Sequence, residues 1–98
     1  MATDKVLCQT PTPGKQPTHI DRWKYEAVCR AILATLDAHA EGIPFKDLRT
    51  HVAQRLSERE KTELGSIGWY TTTVKLDLEV NGIIARVPGS KPQKLVRR

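Results

Sequence analysis

The chain has 98 residues, 39% of them hydrophobic, which suffices for one domain with one modest core and is too short for two. Its formal net charge is +5, from 16 Lys and Arg against 11 Asp and Glu, and no stretch approaches the ~20 consecutive apolar residues that span a bilayer. The opening "MATDKVLCQTPTPGK" lacks the apolar run of a secretory signal, so the expectation is a cytoplasmic protein without membrane contact, and two cysteines, Cys8 and Cys29, are too few for a disulfide framework.

Residues 1–18 contain Pro11, Pro13, Gly14 and Pro17 among Thr and Gln, and proline cannot donate the hydrogen bonds of regular structure. They are expected to form a flexible or extended N-terminal arm with a short extended piece at "KVLCQ", ahead of a single domain over residues 19–98. From Asp21 the pattern turns helical. Tyr25, Val28, Cys29, Ile32 and Leu36 fall at three-and-four spacing among Ala27, Ala31 and Ala34, which predicts a helix over 21–39 with Asp21 as its N-cap and Gly42 beyond its end. Trp23, near its start, is expected to close one end of the core or to pack on the arm.

"EGIPF" reads as an extended link, because Pro44 biases Ile43 away from helical angles. Phe45, Leu48, Val52 and Leu56 then predict a second helix over 45–56. In "SEREKTELG", Ser57 with Glu60 is a capping-box signature and Gly65 a stop, yet the segment has no apolar stripe. It is read as one further short helical turn or a charged loop, with a solvated connection favoured.

Residues 74–84, "VKLDLEVNGII", admit two readings. Strict alternation followed by Asn81-Gly82 fits a half-buried strand entering a tight turn. As a helix over 69–81, at about 100° per residue, the segment gathers Trp69, Thr73, Leu76 and Val80, with Tyr70, Val74 and Leu78 widening the apolar arc. Thr71, Thr72, Lys75 and Glu79 then face solvent, Trp69 joins the core, Tyr70 lies at its boundary, and Asp77 needs a partner such as Arg86. Three Thr and two Val argue against the helix. Two short strands follow, at 83–87 and 93–97, separated by "PGSKP".

Charge is unevenly placed. Residues 1–20 and 42–68 each carry +1, and residues 21–41 and 69–82 each carry −1. The last sixteen residues hold Arg86, Lys91, Lys94, Arg97 and Arg98 with no acid, so the whole excess sits at this end. A localised basic element implies a polyanionic partner, against the simpler role of keeping the chain soluble.

Chemistry for catalysis is not evident. His19, His39, His51, Cys8 and Cys29 are scattered without metal-ligand spacing. "GSIG" lacks the Lys-Ser/Thr of a phosphate-binding loop, and Ser66 lacks the flanks of a nucleophile elbow. No enzyme activity, cofactor, metal or small-molecule substrate is expected.

The run "KLDLEVNGIIARV" resembles the winged helix-turn-helix superfamily, whose third helix often ends in Leu-Glu and a following Gly before an aliphatic wing strand; the matching residues are Leu78, Glu79, Gly82, Ile83, Ile84 and Arg86. "GIPFKDL" is similar to the link into the second helix of that fold. "KYEAVCRAIL", "GWYTTTVKLDLEVNGII" and the Pro13-Gly14 arm are similar to a group of small uncharacterised bacterial winged-helix proteins. The resemblance implies an α+β, winged helix-turn-helix fold, with three main helices followed by a two-stranded β wing, and it favours the helix for 69–81. It also implies duplex DNA as partner and a role as a small transcription regulator. By position, the third helix would contact DNA through Thr71, Thr72 and Lys75, and the wing and C-terminus through Lys91, Lys94, Arg97 and Arg98. A helix with one Lys and net charge −1 departs from the usual reading helix, which shifts the expected contact toward the wing. Such folds also serve as protein-interaction or homodimerisation modules without DNA binding, the alternative expectation.

Overall fold

A computed structural model of the chain describes residues 4–10, 16–89 and 93–98. In chain order it contains β1 (Lys5–Cys8), β2 (Thr18–Asp21), α1 (Arg22–Asp37), β3 (Ile43–Pro44), α2 (Phe45–Gln54), α3 (Glu58–Leu64), α4 (Ile67–Val80), β4 (Ile84–Arg86) and β5 (Lys94–Arg97). This is a small α+β domain with four helices and two antiparallel sheets, one pairing β1 with β2 and the other ordered β3-β5-β4. No described helix is long and apolar enough to cross a membrane.

Helix α1 forms the spine. Ala27, Val28, Ala31, Ile32, Thr35 and Leu36 repeat at helical spacing and are all buried. Thr35 is tolerated there because its hydroxyl donates to the Ala31 carbonyl at 2.8 Å. Leu48 and Val52 of α2, Val74 and Leu78 of α4, and Ile43, Ile84 and Leu95 of the sheet complete the core against it. Trp23 does not close one end of the core: it is 39% exposed, with the Lys24 ammonium 5.8 Å from its ring centroid.

The segment after α2 is a correction. Residues 58–64 form a helix rather than a solvated connection. The Ser57 hydroxyl accepts from the Glu60 amide at 3.1 Å and the Glu60 carboxylate accepts from the Ser57 amide at 2.8 Å, closing the capping box. The amide of Ser57, and then Arg30 of α1, hold the Glu60 carboxyl below the usual range. Leu64 is its buried anchor, which is why no apolar stripe was visible in so short a helix.

Residues 67–80 are helical, and their strand-like alternation is overruled by the end of the segment. Gly82 takes φ +74° and donates to the Glu79 carbonyl at 3.1 Å, while Ile83 donates to the Leu78 carbonyl at 3.0 Å. This paired capping needs a left-handed residue, which Gly82 supplies at no steric cost.

The buried face of α4 is the larger correction. Thr71, Val74, Lys75 and Leu78 point into the domain, together with Asp77, whereas Trp69 and Val80 are 47% and 42% exposed. The helix is thus rotated away from the stripe of Trp69, Thr73, Leu76 and Val80 expected inside, while Val74 and Leu78, on the flank of the predicted arc, are buried as expected. The rotation is satisfied by polar partners: Lys75 meets Glu79, and Asp77 meets the N-terminal strand.

That strand is tied down at two levels. Val6 and Cys8 of β1 stand opposite Ile20 and Thr18 of β2, and Cys8 is buried. Asp77 accepts from the Gln9 amide at 2.9 Å, from the Tyr25 hydroxyl at 2.6 Å and from the Asn81 side-chain amide at 3.1 Å. Arg86, the partner predicted for Asp77, pairs with Glu79 instead.

Burial, reinforced by the charge of Asp77, pushes the Cys8 thiol up to about 11, and burial followed by the bond to Asp77 raises the Tyr25 phenol as well. Both groups keep their protons in the fold at a pH where the unfolded chain releases them. The folded state therefore binds more protons, and stability is full below about pH 9 and falls as the pH climbs toward 11. Denaturant midpoints should fall across this window, and Cys8 should resist alkylation at neutral pH until the domain is unfolded.

Around the second sheet, β5 pairs with β4 through Ala85 opposite Val96, and with β3 through Ile43 opposite Leu95. The link before α2, expected only to be extended, is a third strand. The sheet is therefore larger than the two-stranded ribbon anticipated.

Candidate nucleic-acid interface

Among the described residues expected to contact DNA, two do not reach the surface. Thr71 is 1% exposed and Lys75 3%, so neither presents its side chain to solvent. The Lys75 ammonium lies 2.8 Å from Glu79 Oε1 and 4.4 Å from the centroid of the Phe45 ring. Its approach to Oε1 makes an ion pair without hydrogen-bond geometry. Thr72 is exposed, as predicted from its position. Lys94 is half-buried at the start of β5. Arg97 is exposed and pairs with Asp37 at 2.7 Å, and Arg98 is exposed. Lys91 lies outside the described residues.

Two recesses flank the start of α4. The larger, about 510 Å³, runs between α2 and the α3–α4 junction and is lined by Arg49, Thr50, Lys61, Ser66 and Gly68 among others. The second, about 310 Å³, is formed by Phe45, Lys46, Arg49, Gly68, Thr71 and Thr72. Arg49 and Gly68 belong to both. The absence of a side chain at position 68 is used: a Cβ there would lie 3.3 Å from Arg49 Cδ and 3.4 Å from its guanidinium. Gly68 thereby lets Arg49 lie across the first turn of α4.

Electrostatically, two exposed cations of this region stand apart from most others, as do Arg55 and Arg98 elsewhere. Lys5, Arg22, Lys24, Arg30, Arg59, Lys61, Lys75, Arg86 and Arg97 each have a carboxylate within ion-pairing distance. Lys46 and Arg49, one turn apart on α2, have none among the described residues and are exposed. The α4 macrodipole adds partial positive charge at the same place. The Ser66 hydroxyl caps Trp69 and the Ser66 carbonyl takes the Tyr70 amide, leaving the amides of Ile67 and Gly68 without an acceptor inside the helix.

Lys46 and Arg49 were hidden in the sequence by the way charge was divided, since their segment holds nearly equal numbers of acids and bases. Their three-residue spacing on the polar side of the second helix was the available signal. Among the described residues, no group of three His, Cys, Asp or Glu is placed to hold a metal ion.

The opposite aspect of α4 is apolar. Trp69, Thr73, Leu76 and Val80 follow one another along it, and Ile83 just beyond is 37% exposed. Trp69, Thr73 and Leu76 also border a groove of about 240 Å³ against Cys8, Gln9 and Thr18.

Fold and surface together define a small α+β domain with a cationic recess over a helix start and an apolar stripe beside it. The chain belongs to the Family of unknown function (DUF6958), which matches residues 5–95. No curated protein and no solved structure matches it.

Proposed function

We propose that this chain is a winged-helix domain that binds duplex DNA through backbone phosphates, with α2 and the start of α4 as the primary contact and the C-terminal strand pair as an auxiliary one. The winged-helix reading is supported by the order of α1, α2 and α4 followed by the β4–β5 pair, with the capped Gly82 between them. The observation that carries the DNA reading is Lys46 and Arg49, adjacent and without carboxylate partners among the described residues, beside the open first turn of α4. Thr71 and Lys75 leave the set of surface contacts because they are buried. Thr72 stays. A helix whose outward stripe is Trp69, Thr73, Leu76 and Val80 offers few groups that match base edges, so binding is sequence-tolerant.

The test is a salt titration of binding to mixed-sequence duplex DNA. Affinity should fall steeply as salt rises, and the double variant Lys46→Gln/Arg49→Gln should flatten the log–log slope by about 0.9 for each phosphate that is no longer neutralised. Neutralising Arg97 should have less effect, since Asp37 already holds it. Absence of binding at low salt removes the proposal.

A second reading, as a self-association or protein-interaction module, is favoured by the exposed Trp69, Val80 and Ile83. It requires Trp69→Ala to alter the sedimentation of the protein while DNA has no effect.

A further inference from the structure

We infer that the recess formed by Lys46, Arg49, Gly68, Thr71 and Thr72 is a seat for a single phosphate group, with the Thr71 hydroxyl as its innermost ligand. The inference deepens the DNA reading, on which it rests for its larger ligand, and its own observation is Thr71. Thr71 lines the recess and is 1% exposed, yet its hydroxyl oxygen has no hydrogen-bond partner. Thr35 on α1 shows the ordinary solution for a buried helical threonine, donation to the carbonyl four residues back. Thr71 does not use it. A buried hydroxyl without a partner is a cost to the fold, and such a group needs an explanation.

The surroundings indicate what would satisfy it. In a helix threonine divides between two χ1 rotamers, and rotation about χ1 carries the hydroxyl from one staggered position to another. A change of rotamer is thus the movement by which Oγ1 would reach a ligand in the recess. The polar residues that line the same recess are Thr72, Lys46 and Arg49, which bring a hydroxyl, an ammonium and a guanidinium. These are hydrogen-bond donors, two of them cationic, gathered where the helix start is itself positive. No carboxylate lines the recess. A compact tetrahedral anion presents acceptor oxygens in several directions to such donors, whereas the acceptor sites of a carboxylate lie in one plane.

The phosphate could be a diester of a DNA backbone or the free ion, and the experiment separates these sources. Inorganic phosphate would be titrated into 15N-labelled protein against chloride at matched ionic strength, and duplex DNA affinity would be measured for wild type, Thr71→Val and Thr71→Ser. The amides of Gly68, Thr71 and Thr72 should shift with phosphate and not with chloride. Thr71→Val should weaken DNA binding about tenfold, the loss of one hydrogen bond to a charged group, while Thr71→Ser keeps it. The same Val variant should melt several degrees higher without ligand, because it removes the unpartnered hydroxyl. A merely structural threonine would not raise stability and lower affinity together.

If DNA binds wild type and Thr71→Val equally, the seat is wrong and the DNA reading survives. If DNA does not bind but phosphate moves these amides, the DNA reading falls and the seat stands. Silence from both ligands overturns both.

Discussion

Asp77→Ala should lower the stability of the domain by about 3 kcal/mol, read as a reduced urea midpoint and free energy of unfolding. The carboxylate is 3% exposed and is the acceptor for Tyr25, Gln9 and Asn81. Removing it leaves the Tyr25 hydroxyl and the Gln9 amide without an acceptor in a partly buried place, and each stranded donor costs about 1–3 kcal/mol. Asp77→Asn keeps the volume and one acceptor oxygen, so it should cost about half as much. The damage should also be local in origin. Asp77 joins the end of β1 to α4, so hydrogen exchange at Gln9 should accelerate more than at Val28 or Leu48, which lie in the 0% exposed core. An Asp77→Ala protein within about 0.5 kcal/mol of the parent, the range of ordinary surface substitutions, would show that these bonds do not hold the strand.

How far the sequence disclosed this arrangement depends on which physical signal each element carries. Helix α1 was legible because its buried face is purely apolar or alanine, apart from a threonine that satisfies itself. The Ser57–Glu60 cap was legible too, but a helix of 7 residues with one buried leucine offers no periodicity to support the cap. In α4 the existence of the helix and its Gly82 stop could be read, and the orientation could not. Pattern reading assigns burial by side-chain polarity, and here a neutralised Lys75 and a hydrogen-bonded Asp77 are inside while Trp69 and Val80 are outside. Those burials depend on Phe45, Gln9 and Tyr25, which are distant in sequence. The candidate site suffered in consequence. Thr72 was correctly placed on the surface, but Thr71 and Lys75 followed the wrong face. Lys46 and Arg49 matter only because α2 lies beside the first turn of α4, a proximity that spacing along the chain does not contain.

Glu79→Leu should be as damaging as loss of Asp77, costing about 3 kcal/mol, although it replaces a charge by an apolar group. The reason is Lys75, whose side chain is 4% exposed and whose counter-ion is the 10% exposed Glu79. Deleting the acid leaves an ammonium on the face of Phe45 with only the ring's quadrupole to compensate it. The converse change, Lys75→Met, should cost less, about 1 kcal/mol, because Arg86 still holds Glu79 at 2.7 Å. Replacing both partners, Lys75→Met with Glu79→Leu, should recover most of the loss, since the desolvation of two charges is then relieved. The double-mutant cycle measures this coupling directly, and simple additivity of the two single changes would refute it. The same acid also bears on the proposed DNA contact. Glu79 neutralises Arg86 at the edge of the strand pair, so Glu79→Gln, in protein shown by its spectrum to be folded, should release that cation. If the strand pair approaches phosphate, the salt slope of DNA binding should steepen by about 0.9 while overall stability falls. An unchanged slope would confine the contact to Lys46, Arg49 and the start of α4.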